Sequence, residues 1–149
     1  MLQKANQTMT RFGYPETLIQ AYEHWVVLLR DKQVTLGSLI LCSRSDATTF
    51  SALSSEAFGE LQRVIKQIEH SLTAAFHYEK INYLMLMMSD PNVHFHVIPR
   101  YSTPRSACGL TLSDGGWPAV PKLNEAYATT AVERAALCRY IQGYWKLGA

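Results

Sequence analysis

Charge is what this sequence has least of. Asp, Glu, Lys and Arg make up only 17% of its 149 residues, against about 25% in an ordinary globular protein, while 48% belong to the AVILMFWYC set. That balance excludes intrinsic disorder. It also leaves too few charged side chains to cover a whole monomer, so some apolar surface is expected to lie against a partner subunit or a ligand. The 14 basic and 12 acidic residues leave a net charge of +2, far from the clustered basic excess that a nucleic-acid backbone requires. Polymeric nucleic acid is therefore not an expected partner. Long apolar runs are missing too. Trp25 to Leu29 and Tyr83 to Met88 are the longest, well short of the roughly 20 residues that cross a bilayer, and no membrane span is expected. The stretch Met1-Leu-Gln-Lys-Ala-Asn-Gln has neither the apolar core nor the cleavage site of a secretory signal, which points to a cytoplasmic address. Cys42, Cys108 and Cys138 are odd in number and widely spaced, with no Cys-x-x-Cys pair, so they read as reduced thiols. Repeats and Gly/Ser-rich linkers are absent, and two independent cores would be marginal at this length. One domain over 1–149 is expected, with its core at about 12–101 and a carboxy-terminal extension at 102–149.

What is present is a succession of hydrophobic periods. His24 to Arg30 is β-branched and aromatic and predicts a strand. Gln33 to Gly37 turns the chain, and Leu39 to Cys42 predicts a second strand, antiparallel to the first. Ser54 is a candidate N-cap with Glu56 in the first turn, and Phe58, Leu61, Ile65, Ile68, Leu72 and Phe76 recur at helical spacing. An amphipathic helix of about twenty residues laid on a sheet follows. Ile81 to Met88 and Val93 to Arg100 predict a tight β-hairpin around Ser89-Asp90-Pro91-Asn92. Beyond Tyr101 the chain reads as irregular until a helix at about 130–145, opened by the capping box Thr130-x-x-Glu133. The sum is an α+β domain: an antiparallel sheet with one long helix on it, a loop-rich tail and a terminal helix.

The chemistry concentrates in Asn92-Val-His94-Phe-His96-Val-Ile-Pro-Arg100. On a strand, side chains alternate, so Asn92, His94 and His96 share one face while Val93, Phe95 and Val97 turn to the helix. Two imidazoles on the open face can serve as nucleophile, general acid or metal ligand. A stable metal site takes three or four ligands. No third His, Asp or Glu stands nearby on this strand, so no metal is expected. Arg100 reads either as a group that steers an anionic substrate or as a solvated strand-end charge. Trp117, between Gly115-Gly116 and Pro118, reads either as a cover for the site or as a residue packed on the sheet. Met85, Met87 and Met88 read as core or subunit interface.

This segment resembles the signature of the histidine triad family, His-φ-His-φ-His-φ-φ with φ apolar, often followed by Pro-Arg. Upstream, Val34 to Cys42 looks like the family's Gly-centred turn into a strand, and Leu53 to Phe76 like its long helix. The likeness covers about 24–101 and is nearest the dinucleoside polyphosphate hydrolase branch. It implies a nucleotide hydrolase or nucleotidyltransferase that cleaves a phosphoanhydride or phosphoramidate bond to a nucleoside monophosphate through a nucleotidyl-histidine. The alternative is a nucleotide-binding protein of the same fold with little or no catalysis. A nucleotide or dinucleotide ligand and a homodimer are implied, with no metal or cofactor.

Carried over position by position, the resemblance makes His94 the nucleophile and has His96 bond the phosphate or leaving-group oxygens. Ser89, five residues before His94, falls where the family binds phosphate. Arg30 and Asp31 fall where it contacts the ribose, with Asp31 the candidate and a turn-exposed charge pair the other reading. In the family a backbone carbonyl at the first triad position holds the attacking ring. Asn92 replaces that histidine here and supplies a carbonyl equally well. Other positions depart from the pattern. Met87 or Met88 stands where an Asn or Gln amide is usual, Ser45 or Asp46 replaces a further histidine, and Ser38 follows the turn glycine.

Overall fold

The computed structural model describes residues 4–145. In chain order its elements are α1 (Gln7–Arg11), β1 (Leu18–Ala21), β2 (Trp25–Leu29), β3 (Lys32–Gln33), β4 (Leu39–Ser43), a 3-10 turn (Phe50–Ala52), α2 (Ser55–Phe76), β5 (Lys80–Leu84), β6 (His94–Arg100), β7 (Arg105–Ala107), β8 (Leu110–Leu112), β9 (Tyr127–Ala128) and α3 (Ala131–Gln142). The main sheet is antiparallel with strand order β1-β2-β4-β6-β5. This is the expected α+β architecture, and β2 and β4 form the expected first pair, from Trp25 opposite Ser43 to Leu29 opposite Leu39.

Both central strands are buried at every residue, which explains why their sequences are continuous apolar runs rather than alternating ones. Trp25, Val27, Leu29, Leu39 and Leu41 face a core shared with Val64, Ile68 and Leu72 of α2 and with Leu137, Cys138 and Ile141 of α3. Val26, Leu28, Ile40 and Cys42 face the other way, against Met9 of α1 and the flanking Phe12 and Tyr14. The sheet is therefore covered on both sides, not on the helix side alone as expected.

Helix α2 starts where its cap residue stands: Ser54 Oγ accepts from the Ala57 N–H at 3.0 Å. It ends at His77, whose left-handed backbone (φ 51°) lets its N–H reach Thr73 O. The turn before β4 passes so close to this end that a Cβ on Gly37 (φ +93°) would lie 2.8 Å from the Phe76 ring, a place only glycine fits. The buried residues of α2 are Ala57, Val64, Gln67, Ile68, Ser71, Leu72, Ala75 and Phe76. Of the predicted stripe, Ile68, Leu72 and Phe76 are buried, Leu61 and Ile65 are half-buried, and Phe58 is 42% exposed. One margin of the helix's apolar face, at Phe58, is thus left outside.

The predicted tight hairpin is corrected. β5 and β6 pair from Lys80 opposite Arg100 to Leu84 opposite His96. Residues 85–93 then leave the sheet as a long connection, in which Met87 takes a positive φ of 54°. The tail is more ordered than its composition predicts. β7 and β8 form a hairpin across Cys108 and Gly109, and β9 pairs with β3. The capping box of α3 is present, with Glu133 N–H on Thr130 Oγ1 at 3.2 Å and Thr130 N–H on Glu133 Oε1 at 2.8 Å. The last part of the predicted extension, 146–149, lies outside the described residues.

Candidate active site

β6 places His94 and His96 on the face away from α2, as the alternation predicts, with Phe95 and Val97 in the helix-side core. His94 lies opposite Cys42 and His96 opposite Ile40 on β4. The face is not open, however: the two residues are 2% and 8% exposed. Their roof is Phe12, just past α1, with its ring centroid 5.6 Å from His94 and 5.9 Å from His96.

Two asparagines hold that roof. Asn6 caps α1 by accepting from the Met9 N–H at 2.8 Å, and its own Nδ2 donates to Ser43 O and Ser45 O. Asn92 forms a reciprocal pair with α1: the Thr8 N–H donates to Asn92 Oδ1 at 3.1 Å, and the Asn92 N–H donates to Thr8 Oγ1 at 2.9 Å. The side chain of Asn92 is thus turned to α1 and does not line the cavity. Its backbone O pairs with His94 Nδ1 at 2.8 Å. A carbonyl only accepts, so His94 carries a proton on Nδ1 and, when neutral, a lone pair on Nε2.

The two rings floor a cavity of about 410 Å³. Arg11 and Phe12 form one wall, Arg30, Asp31 and Lys32 a second, and Leu86 to Asp90 a third. His94, His96, Ser89 and Asp31 are therefore brought together around one cavity. Arg30 Nε donates to His96 Nδ1 at 3.3 Å and its Nη1 to Lys32 O at 2.6 Å. Burial, then the Arg30 charge, then His94 lower the pKa of His96 to about 4, so that ring is neutral near pH 7. Across the mouth, Arg11 Nε lies 3.3 Å from Asp90 Oδ1.

Arg100 is not part of this cavity. It lies on the same face of β6 but is 4% exposed. Its Nε and Nη2 donate to the two Asp114 oxygens at 2.7 and 3.1 Å, and its Nη1 donates to Asn82 Oδ1 at 2.8 Å. The guanidinium pins the tail to the sheet, and neither a steering role nor a solvated strand end describes it. Trp117 lines a separate recess beside Arg100, Asn82 and Leu84 and does not roof the histidines.

Sequence reasoning missed Arg11 and Phe12, the Lys32 wall and the contact of Arg30 with His96. A signal for the first pair exists: Asn6 is a cap residue, and Ala5, Met9 and Phe12 stand at helical spacing. A five-residue helix is too short to show a period. The described residues include one grouping of metal-type side chains, Glu23, His24 and Glu60, away from the cavity. Glu60 there is already engaged, by the His24 N–H at 2.7 Å and by Arg63 at 3.7 Å.

The HIT domain profile matches residues 11–103, from the end of α1 through β6. The chain belongs to the histidine triad family. Solved HIT-family structures share the fold at low identity. A histidine triad protein of Sinorhizobium meliloti is 20% identical over 94% of this chain and 95% of its own, with a TM-score of 0.72. A hypothetical histidine triad nucleotide-binding protein of Sulfolobus tokodaii is 14% identical over 86% and 82%, TM-score 0.69. The diadenosine triphosphate hydrolase of Plasmodium falciparum is 10% identical over 87% and 76%, TM-score 0.66. No curated protein matches the chain. In this HIT protein α1 before Arg11, the β7–β8 hairpin, β9 and α3 lie outside the matched span. No helix among the described residues is long and apolar enough to cross a membrane.

Proposed function

We propose that this HIT protein is a nucleotide hydrolase or nucleotidyltransferase of the dinucleoside polyphosphate hydrolase branch. It cleaves a phosphoanhydride or phosphoramidate bond to a nucleoside monophosphate. The observation that carries the reading is the 2.8 Å bond between His94 Nδ1 and Asn92 O, which in the neutral form of the ring leaves the Nε2 lone pair as a nucleophile beside the cavity. That lone pair attacks the α-phosphorus. A P–N bond to His94 forms, and the bond to the leaving group breaks with its electron pair on the departing oxygen of a phosphoanhydride or nitrogen of a phosphoramidate. Water or another hydroxyl acceptor then attacks the same phosphorus, gives up its proton to solvent, and the P–N bond breaks with its electron pair back on His94 Nε2. Splitting one displacement into two lowers each barrier. His96 and Ser89 bond phosphate oxygens, Asp31 takes the ribose hydroxyls, and Arg11, Arg30 and Lys32 favour an anionic ligand. Arg100, closed on Asp114, has no place in this mechanism.

A second reading, binding with little catalysis, is favoured by the cavity wall itself. Met87 and Met88 line it where the family carries an amide donor, and a missing donor at developing charge removes stabilisation from the transition state. Thermal-shift titration separates the readings. A nucleoside monophosphate at a hundred times its Kd adds about 2.7 kcal/mol, a rise of about 5–11 °C for a chain of this size. A shift with turnover of dinucleotide or adenylyl substrates supports the enzyme. A shift with background hydrolysis selects the binding protein, and no shift with any nucleotide rejects both.

The protein is also proposed to be a homodimer. Phe58 on the uncovered margin of α2 packs at a tilt against Phe50, itself 45% exposed, with ring centroids 5.5 Å apart. Phe50 in turn meets Phe95 at 5.9 Å. Sedimentation at micromolar concentration is expected to give twice the 16.8 kDa chain mass; a stable monomer refutes the dimer. A reducing cytoplasmic setting suits the free thiols of Cys42, Cys108 and Cys138.

A further inference from the structure

We infer that Arg30 is a positioning residue for His96, holding that ring as an Nε2–H donor aimed at the phosphate that His94 attacks. The identity of the ligand rests on the function proposed above; the contact itself rests on geometry. A guanidinium has five donors and no acceptor. Where Arg30 Nε meets His96 Nδ1 at 3.3 Å, the ring nitrogen therefore presents its lone pair, and the single proton of a neutral imidazole goes to Nε2. Arg30 is braced for this. Its Nη1 is tied to Lys32 O, its N–H to Ser38 O at 3.0 Å, and its O to the Gln33 side-chain amide at 2.5 Å.

The result is two histidines two residues apart on one strand, their ring centroids 5.2 Å apart, in opposite tautomers. His94, against a carbonyl, keeps its proton on Nδ1 and offers a lone pair. His96, against a guanidinium, keeps its proton on Nε2 and offers a donor. Hydrogen-bond donors placed in advance around a developing charge are among the largest contributions to catalysis. The charged and titratable groups facing His96 are Arg30 and Lys32 after β2, Asp31 between them, His94 on its own strand, and Arg11 with Asp90 across the mouth. With its pKa lowered to about 4, His96 gives a hydrogen bond rather than a proton near neutrality. Arg30 also falls at the family's ribose-contact region but turns to His96, which leaves Asp31 as the group free for the sugar.

The test is long-range ¹H–¹⁵N NMR of the full chain, wild type against Arg30→Met and Arg30→Gln, between pH 5 and 8. Wild-type His96 is expected to be neutral and Nε2-protonated throughout. Arg30→Met is expected to show tautomer exchange and a titration moved to higher pH, because a neighbouring cation is lost. Arg30→Gln keeps a donor without the charge and is expected to retain the tautomer. Where turnover is measurable, kcat falls about tenfold in the Met variant through lost orientation, and the Gln variant recovers part of it. An Nδ1-protonated His96 in the wild type, or an unchanged tautomer in Arg30→Met, overturns the inference. Because the tautomer is read without substrate, absence of turnover counts against the enzyme reading and leaves this one standing or falling on the spectra.

Discussion

His94→Ala is expected to abolish the nucleotidyl adduct and to lower turnover at least about a thousandfold, the scale on which removal of a covalent nucleophile acts. The experiment is intact-mass analysis after incubation with a slow dinucleotide or adenylyl analogue. Wild type gains one nucleoside-monophosphate mass that maps to His94, and the variant gains none. Because Arg11, Arg30, Lys32, Asp31 and Ser89 still line the cavity, the variant should keep its thermal shift with nucleoside monophosphates. Retained turnover, or an adduct on another residue, removes His94 from the proposed role.

The largest expected effect on stability is at Asp114. Its side chain is 1% exposed and faces an Arg100 side chain 5% exposed. Asp114→Ala leaves a buried guanidinium with Asn82 as its remaining side-chain partner. Breaking one half of a buried pair destabilises by about 3–5 kcal/mol. At about 2–4 °C per kcal/mol the melting temperature drops by about 6–20 °C. Removing both charges with Arg100→Met in the same chain is expected to recover much of the loss, since an apolar pair no longer leaves a charge unpaired; a double variant as unstable as the sum of its parts contradicts this account. The acid side follows. Burial pushes the Asp114 carboxyl up, but hydrogen bonds from Arg100 and from the Tyr101 and Gly116 N–H groups outweigh it and hold the carboxyl below its usual value. A lowered folded value means that its stabilisation is complete above the unfolded carboxylate pKa of about 3.9. It is lost as pH falls through the folded value. Asp114→Asn should therefore flatten the acid limb of the stability profile.

The chain announced its sheet and its long helix because those elements repeat. Trp25 to Leu29 and Leu39 to Cys42 are unbroken apolar runs, Ser54 caps where a cap belongs, and Thr130 and Glu133 form the box that opens α3. The histidine pair was visible for the same reason, since period two is the signature of a strand. What escaped are features with no period. α1 is too short to show a period, and two asparagine side chains hold it in place beside the buried Met9. Arg30 and Arg100 are both cations at strand ends, yet one meets an imidazole and the other a buried aspartate. Only the tertiary partner tells them apart. Phe58 fits the helical stripe, but its exposure depends on what packs against that end of the helix, which no local pattern encodes.

The roof over the histidines also bears on how the protein reaches its working form. The bonds between Thr8 and Asn92 join residues 84 apart in the chain, the Arg30–His96 contact spans 66, and Thr129 Oγ1 reaches Asp31 O across 98. Contacts of such large sequence separation form only after long loops have closed, which slows folding. The pocket is therefore absent from any early hairpin or nascent helix. It comes into being when distant stretches of polypeptide meet, so binding competence belongs to the assembled chain rather than to any one segment of it.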